Sequence, residues 1–472
     1  MRVGGYIVGS LVSVVSAALL FRHLGKVDTG HYVTAVSLVA IVGAVSDLGL
    51  TAVGVREISS LPEEQRWPLA QDLLGLRITL TLVGGTAATA IAWVVYSRLL
   101  AAGVALAGVG LLLQATQDNF SLPLVVGLRL GWVSALDLSR QLLSTLMTVL
   151  LVALGATLLP FLGISIPVGL ILVVATVSLV RGTRSLVPTF SVRRWRRFAG
   201  AMLPYAMAIA ASALYFRVSI LLMSVLSNSA QLGYFGASFR ILEVLTVVPG
   251  LLVSSAFPIF ARAARDDHER LGYALARVFE VSTIVGAWVA VSVAVGAPLA
   301  IKIVGGAEFA PAAPVLAIQG VGLGAMFVGL VWANGLLSLG LYRQILAINV
   351  SMLVLSGVLV AILIPLDGAR GAAIGTAAAE ITSGIVHAVA VARGRPQLRP
   401  SLRILPRVGL AAGAGVVPLA LTGLGVPTVA LLVLSTALFA AVLLVLRAFP
   451  EELLDLLPAA GPLARLASRG RG

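Results

Sequence analysis

Apolar runs of about 18 residues or more recur along the whole chain, and each is long enough to cross the ~30 Å hydrocarbon core of a bilayer as a helix. The runs predict about fourteen helices, at 3–21, 31–54, 73–97, 99–118, 133–157, 164–181, 200–226, 231–260, 274–301, 310–338, 342–364, 371–392, 404–421 and 425–447. Breakers stand at many of the joints: Gly25 and Gly30, Pro62 and Pro68, Pro160, Pro188, Pro365, and Pro396 with Pro400. The fourth helix has two candidate ends, at Asp118 or further on near Leu130. The first run starts directly after Met1 and Arg2. Further spans follow at once with no clear cleavage site, so it reads as a first span and not as a removable leader.

Composition agrees. With 59% hydrophobic and 11% charged residues and a mean hydropathy of +1.05, a soluble chain of 472 residues would lack polar surface. The expected class is an all-α polytopic membrane protein. The absence of cysteine excludes disulfides, thiolate metal sites and a cysteine nucleophile.

A net charge of +14 suggests nucleic acid until the basic residues are placed. With a cytoplasmic N-terminus, 25 of the 33 Lys and Arg fall in cytoplasmic loops and helix ends. Five fall outside (Arg22, Lys26, Arg98, Lys302, Arg370) and three lie within helices (Arg140, Arg217, Arg240). That is the positive-inside pattern, and it predicts a multi-pass protein of a cytoplasmic membrane with both termini cytoplasmic and no nucleic-acid partner. Six arginines crowd into "VRGTRSLVPTFSVRRWRRFAG" (180–200) between the sixth and seventh helices. They read as an anchor at the anionic inner leaflet, or else as a trap for an anionic lipid headgroup.

The linker suggests two six-helix lobes in a pseudo-two-fold arrangement: an N-terminal lobe at 1–182, a basic linker at 183–199 and a C-terminal lobe at 200–392. Two further helices (404–447), which the family resemblance given below implies to be an accessory pair, and a cytoplasmic tail (448–472) follow. A short internal repeat fits this division. "TGHYVTAVSL" (29–38) and "LGYFGASFR" (232–240) both place a Gly-aromatic pair at an external helix start, followed by small residues. Six helices per half would relate the halves by an axis along the membrane normal, with a substrate site at their midplane interface.

Charges at depth are the candidate chemistry. Arg217 lies nine residues before Leu226, and Arg240 nine after Gln231, so both sit ~14 Å below the outer face. Glu243 shares a helix face with Arg240, and Glu380 should lie near the same level. In the first lobe Arg140 lies inside its helix with Asp137 one turn away. A charge at bilayer centre costs ~2.5–3.5 kcal/mol on insertion scales, so each needs a partner or a wet cavity. Two readings stand side by side. The groups neutralise one another (Arg240 with Glu243, Asp137 with Arg140, Arg217 with Glu380 or water), or they line a net-positive cavity whose arginines present forked donors to phosphate oxygens. Asp47 and Arg56 form a candidate gate contact at the cytoplasmic mouth, or a local helix-end pair. His387, alone near a helix end, reads as structural. The pairs Gly5/Gly9, Gly320/Gly324, Gly371/Gly375 and Gly409/Gly413 have the spacing of close helix contacts.

The blocks "RHLGKVDTGHYVTAV…SDLGLTAVGVREIS" (22–59), "LGYFGASFRILEVLTVVPGLLVSSAFPIFAR" (232–262), "FAPAAPVLAIQG" (309–320) and "PLDGARGAAIGTAAAEI" (365–381) resemble polysaccharide flippases. These belong to the multidrug/oligosaccharidyl-lipid/polysaccharide exporter superfamily. The resemblance implies two lobes in a V shape plus an accessory pair. It also implies alternating access that moves a polyprenyl-pyrophosphate-linked oligosaccharide to the outer leaflet for cell-surface polysaccharide assembly. Implied partners are the lipid-linked glycan, membrane lipids, and a polysaccharide polymerase and glycosyltransferases. The family often carries an acidic residue in the seventh helix near "FRVS" (216–219), where this chain has Arg217 and Ser219. That departure argues against copying the family's cation-coupling site here.

A lipid II flippase is the nearest alternative, since it shares the cationic cavity and the extra helix pair. A cation-coupled drug antiporter would favour midplane carboxylates and an aromatic pocket, whereas aromatics are 6% of this chain. An enzyme is not expected: no DxD, HExxH or nucleotide-binding loop occurs, and "GVGLG" (320–324) lies inside an apolar helix. No cofactor or metal is expected. Without a P-loop, proton or sodium coupling, or consumption of the substrate outside, would have to drive transport.

Overall fold

The computed structural model describes residues 2–47, 58, 62–180, 187–398 and 401–448. Every regular element among them is helical. The first half holds α1 (Arg2–Asp47), α2 (Glu63–Val95), α3 (Arg98–Phe120), the short α4 (Leu122–Val126), α5 (Leu130–Ala153), the short α6 (Leu158–Gly163), α7 (Ser165–Leu179) and α8 (Val192–Leu226). Then come α9 (Ser229–Leu245), α10 (Val247–Asp266), α11 (His268–Gly305), α12 (Ala312–Ser338), α13 (Tyr342–Gly394), α14 (Ile404–Val416) and α15 (Thr428–Val445).

Eleven spans among the described residues are long and apolar enough to cross a membrane, and Ala210–Leu226 is a shorter apolar helix. Burial is inverted relative to a soluble protein. Val94, Val445 and Leu366 are more than three-quarters exposed, while the hydroxyls of Thr29, Ser37 and Ser282 belong to fully buried residues. Apolar side chains on the outside are stable only against lipid. The chain is an all-α polytopic membrane protein.

Two helices are broken where the sequence predicts a joint. Gly25 interrupts α1 at φ 69°, a conformation that glycine adopts without a Cβ penalty. Asp367 and Gly368 interrupt α13 just after Pro365, with Gly368 at φ 50°. Three expected boundaries shift. α2 starts ten residues early, at Glu63: Pro62 caps it, but Pro68 lies inside, removing one ladder bond without ending the helix. The fourth predicted helix passes Asp118, turns at Ser121 and continues through Pro123 to Val126. α8 begins at Val192, inside the basic cluster. Residues 181–186, and the side chains of Arg193, Arg194, Arg196 and Arg197, lie outside the described residues, as does the tail from 449 onward. The segment before α8 and the first turn of α8 rest on α2: the Thr189 amide donates to the Gln71 carbonyl at 3.2 Å and Trp195 Nε1 donates to that of Asp72, also at 3.2 Å.

By contacts the chain forms two compact units, Met1–Gly236 and Ala237–Gly472. In the first, α1 packs against α2, α3, α5 and α8. In the second, α12 lies between α11 and α13, and its Phe327 and Trp332 are fully buried. α14 and α15 pack on α11 through Val291, Val295 and Leu431, with the Ser435 hydroxyl donating to the Gly415 carbonyl at 2.6 Å.

Two of the four glycine pairs mark close packing. A Cβ on Gly324 would stand 2.8 Å from the Gly286 carbonyl oxygen, a Cβ on Gly286 2.7 Å from that of Gly324, and Gly320 faces Val293. Gly371 and Gly375 fold back on Leu363 and Val360 across the α13 break. Gly9, Gly409 and Gly413 have no neighbour within 4 Å, so spacing alone misleads there. Gly324→Ala is expected to cost ~1–3 kcal/mol by overpacking. It should lower the melting temperature of the purified protein in detergent, whereas Gly409→Ala should not. Equal melting of both variants would contradict the close α11–α12 approach.

Candidate functional site

The described candidates gather in different ways. Asp47, the last described residue of α1, lies 3.4 Å from Arg77 on α2. Arg77 also lies 3.4 Å from Asp118 in the last turns of α3, and Asp118 in turn receives Arg140 of α5 at 3.0 Å. Arg140 donates to the Gln117 side-chain carbonyl as well, and the Gln117 amide donates to Thr176 on α7 at 3.3 Å. Five helices therefore meet through one chain of polar groups. Arg77 is its most enclosed member, with a side chain 11% exposed against 24% for Asp47, 25% for Arg140 and 30% for Asp118.

Charge decides what this cluster does. Among the described residues two guanidinium groups face two carboxylates, so these four groups balance in formal charge. In a low-dielectric bundle such pairing lowers the cost of burying each charge and penalises any change that removes one partner. The sequence singles out Arg140 as a deep charge and Asp47 as a gate candidate at the cytoplasmic mouth, but neither Arg77 nor Asp118. Arg77 falls unremarked among the 25 basic residues counted to the cytoplasmic side, and Asp118 at one of the two candidate ends of the fourth helix. Their signal was joint: two opposite charges, each some twenty residues from the same-side helix ends at Val95 and Arg98. Arg56, proposed to meet Asp47, lies outside the described residues, and Asp137 is exposed on α5.

In the second unit, Arg240 donates to Glu243 at 2.6 Å one turn along α9, the pair expected from their spacing. Glu380 is half-buried on the second part of α13. Arg217, on α8 in the first unit, holds its guanidinium 5.9 Å from the Phe216 ring centroid, within cation–π range. His387 is buried and donates from Nδ1 to the Ser383 carbonyl at 2.8 Å, a helix-internal bond that suits a structural histidine. Among the described residues no three His, Asp or Glu gather as metal ligands would.

At the opposite end of the first unit from Asp118, a cavity of about 130 Å³ is lined by His31, Thr34, Tyr96, Ser224, Asn228 and Ser229, among others. Tyr96 and Ser224 share a hydroxyl–hydroxyl bond of 2.6 Å. His31 stands 3.3 Å from Asp28 and 3.1 Å from the Ser229 hydroxyl. Its volume suits a few waters, far too few for a glycan.

Comparison with known proteins follows the same lines. A solved structure of the lipid II flippase MurJ, in an inward closed conformation, superposes with a TM-score of 0.79 at 11% identity, covering 93% of this chain and 97% of that one. An inward-facing multidrug resistance MATE family transporter of the MOP superfamily gives a TM-score of 0.65 at 12% identity, over 83% of this chain and 95% of the other. A MOP superfamily transporter from Pyrococcus furiosus gives 0.52 at 14% identity, over 84% and 96%. No curated protein sequence matches. At such identities the likeness is one of fold. A sequence family described as "Polysaccharide biosynthesis protein" matches residues 19–314, well over half of the chain. With this match and the fold of the MOP superfamily of membrane transporters, the chain belongs to the polysaccharide biosynthesis protein family.

Proposed function

We propose that this protein is a flippase that carries a polyprenyl-diphosphate-linked glycan from the inner to the outer leaflet by alternating access. The observation that carries the reading is the extent of the likeness to the lipid II flippase, which takes in nearly the whole of both chains. That likeness reverses the order of substrates expected from the sequence. A lipid II-like peptidoglycan precursor comes first, and an oligosaccharide for surface polysaccharide second, the latter supported by the family description.

The topology belongs to this proposal. The breaks at Gly25 and at Asp367–Gly368 divide two of the eleven spans, and Ala210–Leu226 adds another, which supports about fourteen crossings. The basic residues then favour cytoplasmic termini, lobes at 1–182 and 200–392, and an accessory pair at 404–447. Arg217 and Arg240 are the proposed diphosphate donors, since forked guanidinium groups match phosphate oxygens. Arg140 joins them only if its pairing with Asp118 opens. Glu243 and Glu380 are the proposed groups for proton or sodium coupling, and a polymerase and glycosyltransferases are the proposed partners.

The test is reconstitution of the purified protein in vesicles carrying either lipid II or a polyprenyl-diphosphate oligosaccharide, with appearance of the headgroup on the opposite leaflet as the readout. Faster flipping of lipid II than in protein-free vesicles supports the first substrate, and acceleration of the oligosaccharide alone supports the second. No acceleration of either, with and without a proton or sodium gradient, would sink the proposal.

A further inference from the structure

The two copies of the short internal repeat touch each other, and they do so reciprocally. Aligned on their Gly-aromatic pairs, Gly30 corresponds to Gly233 and Val33 to Gly236. Four residues before each glycine stand Lys26 and Ser229. A Cβ on Gly30 would collide with the Ser229 carbonyl oxygen, reaching 3.0 Å from its carbon and 3.3 Å from the Gly233 nitrogen. A Cβ on Gly233 would collide in the same way with the Lys26 carbonyl oxygen, reaching 2.8 Å from its carbon. A Cβ on Gly236 would lie 3.2 Å from Cβ of Val33, its own counterpart. Each repeat thus sets its glycine on the carbonyl four residues before the other's glycine. An exchange of this kind is the signature of a self-complementary contact, here made within one chain.

We propose that this contact is a reversible latch between the two repeats, which closes the outer end of the carrier and must part during each transport cycle. The inference rests on the transporter reading given above and on its orientation. Three observations support it. First, the boundary between the two compact units falls within α9, at 236/237, and α8 packs with the first unit although it follows the inter-lobe linker in sequence. Second, hydrogen bonds ring the contact: His31 bonds the Asp28 carboxylate through Nδ1 and the Ser229 hydroxyl through Nε2, and Tyr96 bonds Ser224. Third, at Gly30 and Gly233 the nearest atoms are all backbone, and a side chain enters the contact at Gly236, from Val33. At the first two glycines the helix hairpins can part and reseat without a change of rotamer, as a cycling contact requires. The small cavity beside it holds polar groups that water can satisfy once the latch opens.

The chain has no cysteine, so introduced cysteines report without background. The 3.2 Å between the Cβ positions of residues 33 and 236 is close to the ~3.5–4.5 Å that a disulfide spans. Val33→Cys with Gly236→Cys is expected to cross-link under mild oxidation, read by mass spectrometry of the joined peptides. Oxidation should stop flipping in vesicles, and dithiothreitol should restore it. Independently, a Thr34→Cys reporter, whose parent side chain is buried beside the latch, should react slowly with a membrane-impermeant maleimide. Adding Gly30→Ala or Gly233→Ala should speed that reaction at least tenfold, while Gly85→Ala, with no neighbour within 4 Å, should leave it unchanged. The latch is overturned if the oxidised double-cysteine protein flips at the reduced rate, or if neither glycine variant changes the labelling. Should no glycan be flipped even by the reduced protein, the transporter reading fails, and the labelling rates still decide whether the contact opens.

Discussion

Arg77→Ala is expected to destabilise the folded protein more than any other single charge removal in the first unit. Arg77 is the most enclosed member of its cluster and stands between two carboxylates, Asp47 and Asp118, at 3.4 Å from each. Without it Asp47 and Asp118 both lose this cation, while Asp118 keeps Arg140 at 3.0 Å. Breaking an enclosed ion pair by removing one partner costs ~3–5 kcal/mol, because the remaining charge stays desolvated. The measurement is thermal unfolding of the purified protein in detergent, alongside its yield in the membrane. Asp47→Asn in the Arg77→Ala background should recover part of the loss, since it removes a carboxylate that the arginine had balanced. Melting of Arg77→Ala at the parental temperature would show that the cluster contributes nothing to holding α1, α2 and α3 together.

Arg217→Ala and Arg240→Ala should have the opposite profile, with normal insertion and yield but flipping reduced at least tenfold. Arg240 pairs with Glu243 one turn along its own helix, and lies outside the Asp47–Arg77–Asp118–Arg140 cluster of the first unit. Arg217 has an aromatic neighbour in sequence, and its replacement removes a forked donor that a diphosphate would engage. Lysine at either position keeps the charge without the fork and should recover only part of the rate. Glu243→Gln separates the two explanations for Arg240. If that variant flips as slowly as Arg240→Ala, the ion pair matters more than the arginine's contact with substrate. Parental flipping rates in both arginine variants would remove the cationic site from the proposal altogether.

The inter-helix contacts explain why some of this was legible in advance and some was not. Run length and hydropathy depend on each segment alone, because a helix in lipid satisfies its own backbone bonds and needs only ~20 apolar residues. The breaks at Gly25 and near Pro365 were legible for the same reason, since glycine and proline act on their own backbone. Pro68 was misread as a terminator because its cost is one hydrogen bond, which the rest of a long helix absorbs. The Arg240–Glu243 pair was readable as a spacing of three on one helix.

Partners on different helices carry no such periodicity. Asp118 receives Arg77 from 41 residues earlier and Arg140 from 22 later, and nothing in either interval specifies the meeting. The glycine pairs make the same point: four share one spacing, yet only those facing a neighbouring backbone, such as Gly324 on Gly286, approach it closely. The repeat at 29–38 and 232–240 lies between these extremes. Its likeness was visible in the residues themselves, because a glycine before an aromatic at a helix start is a local pattern. That the two copies should face one another, each glycine on the other's carbonyl, depends on how α1, α8 and α9 pack, a relation between helices that no single segment encodes.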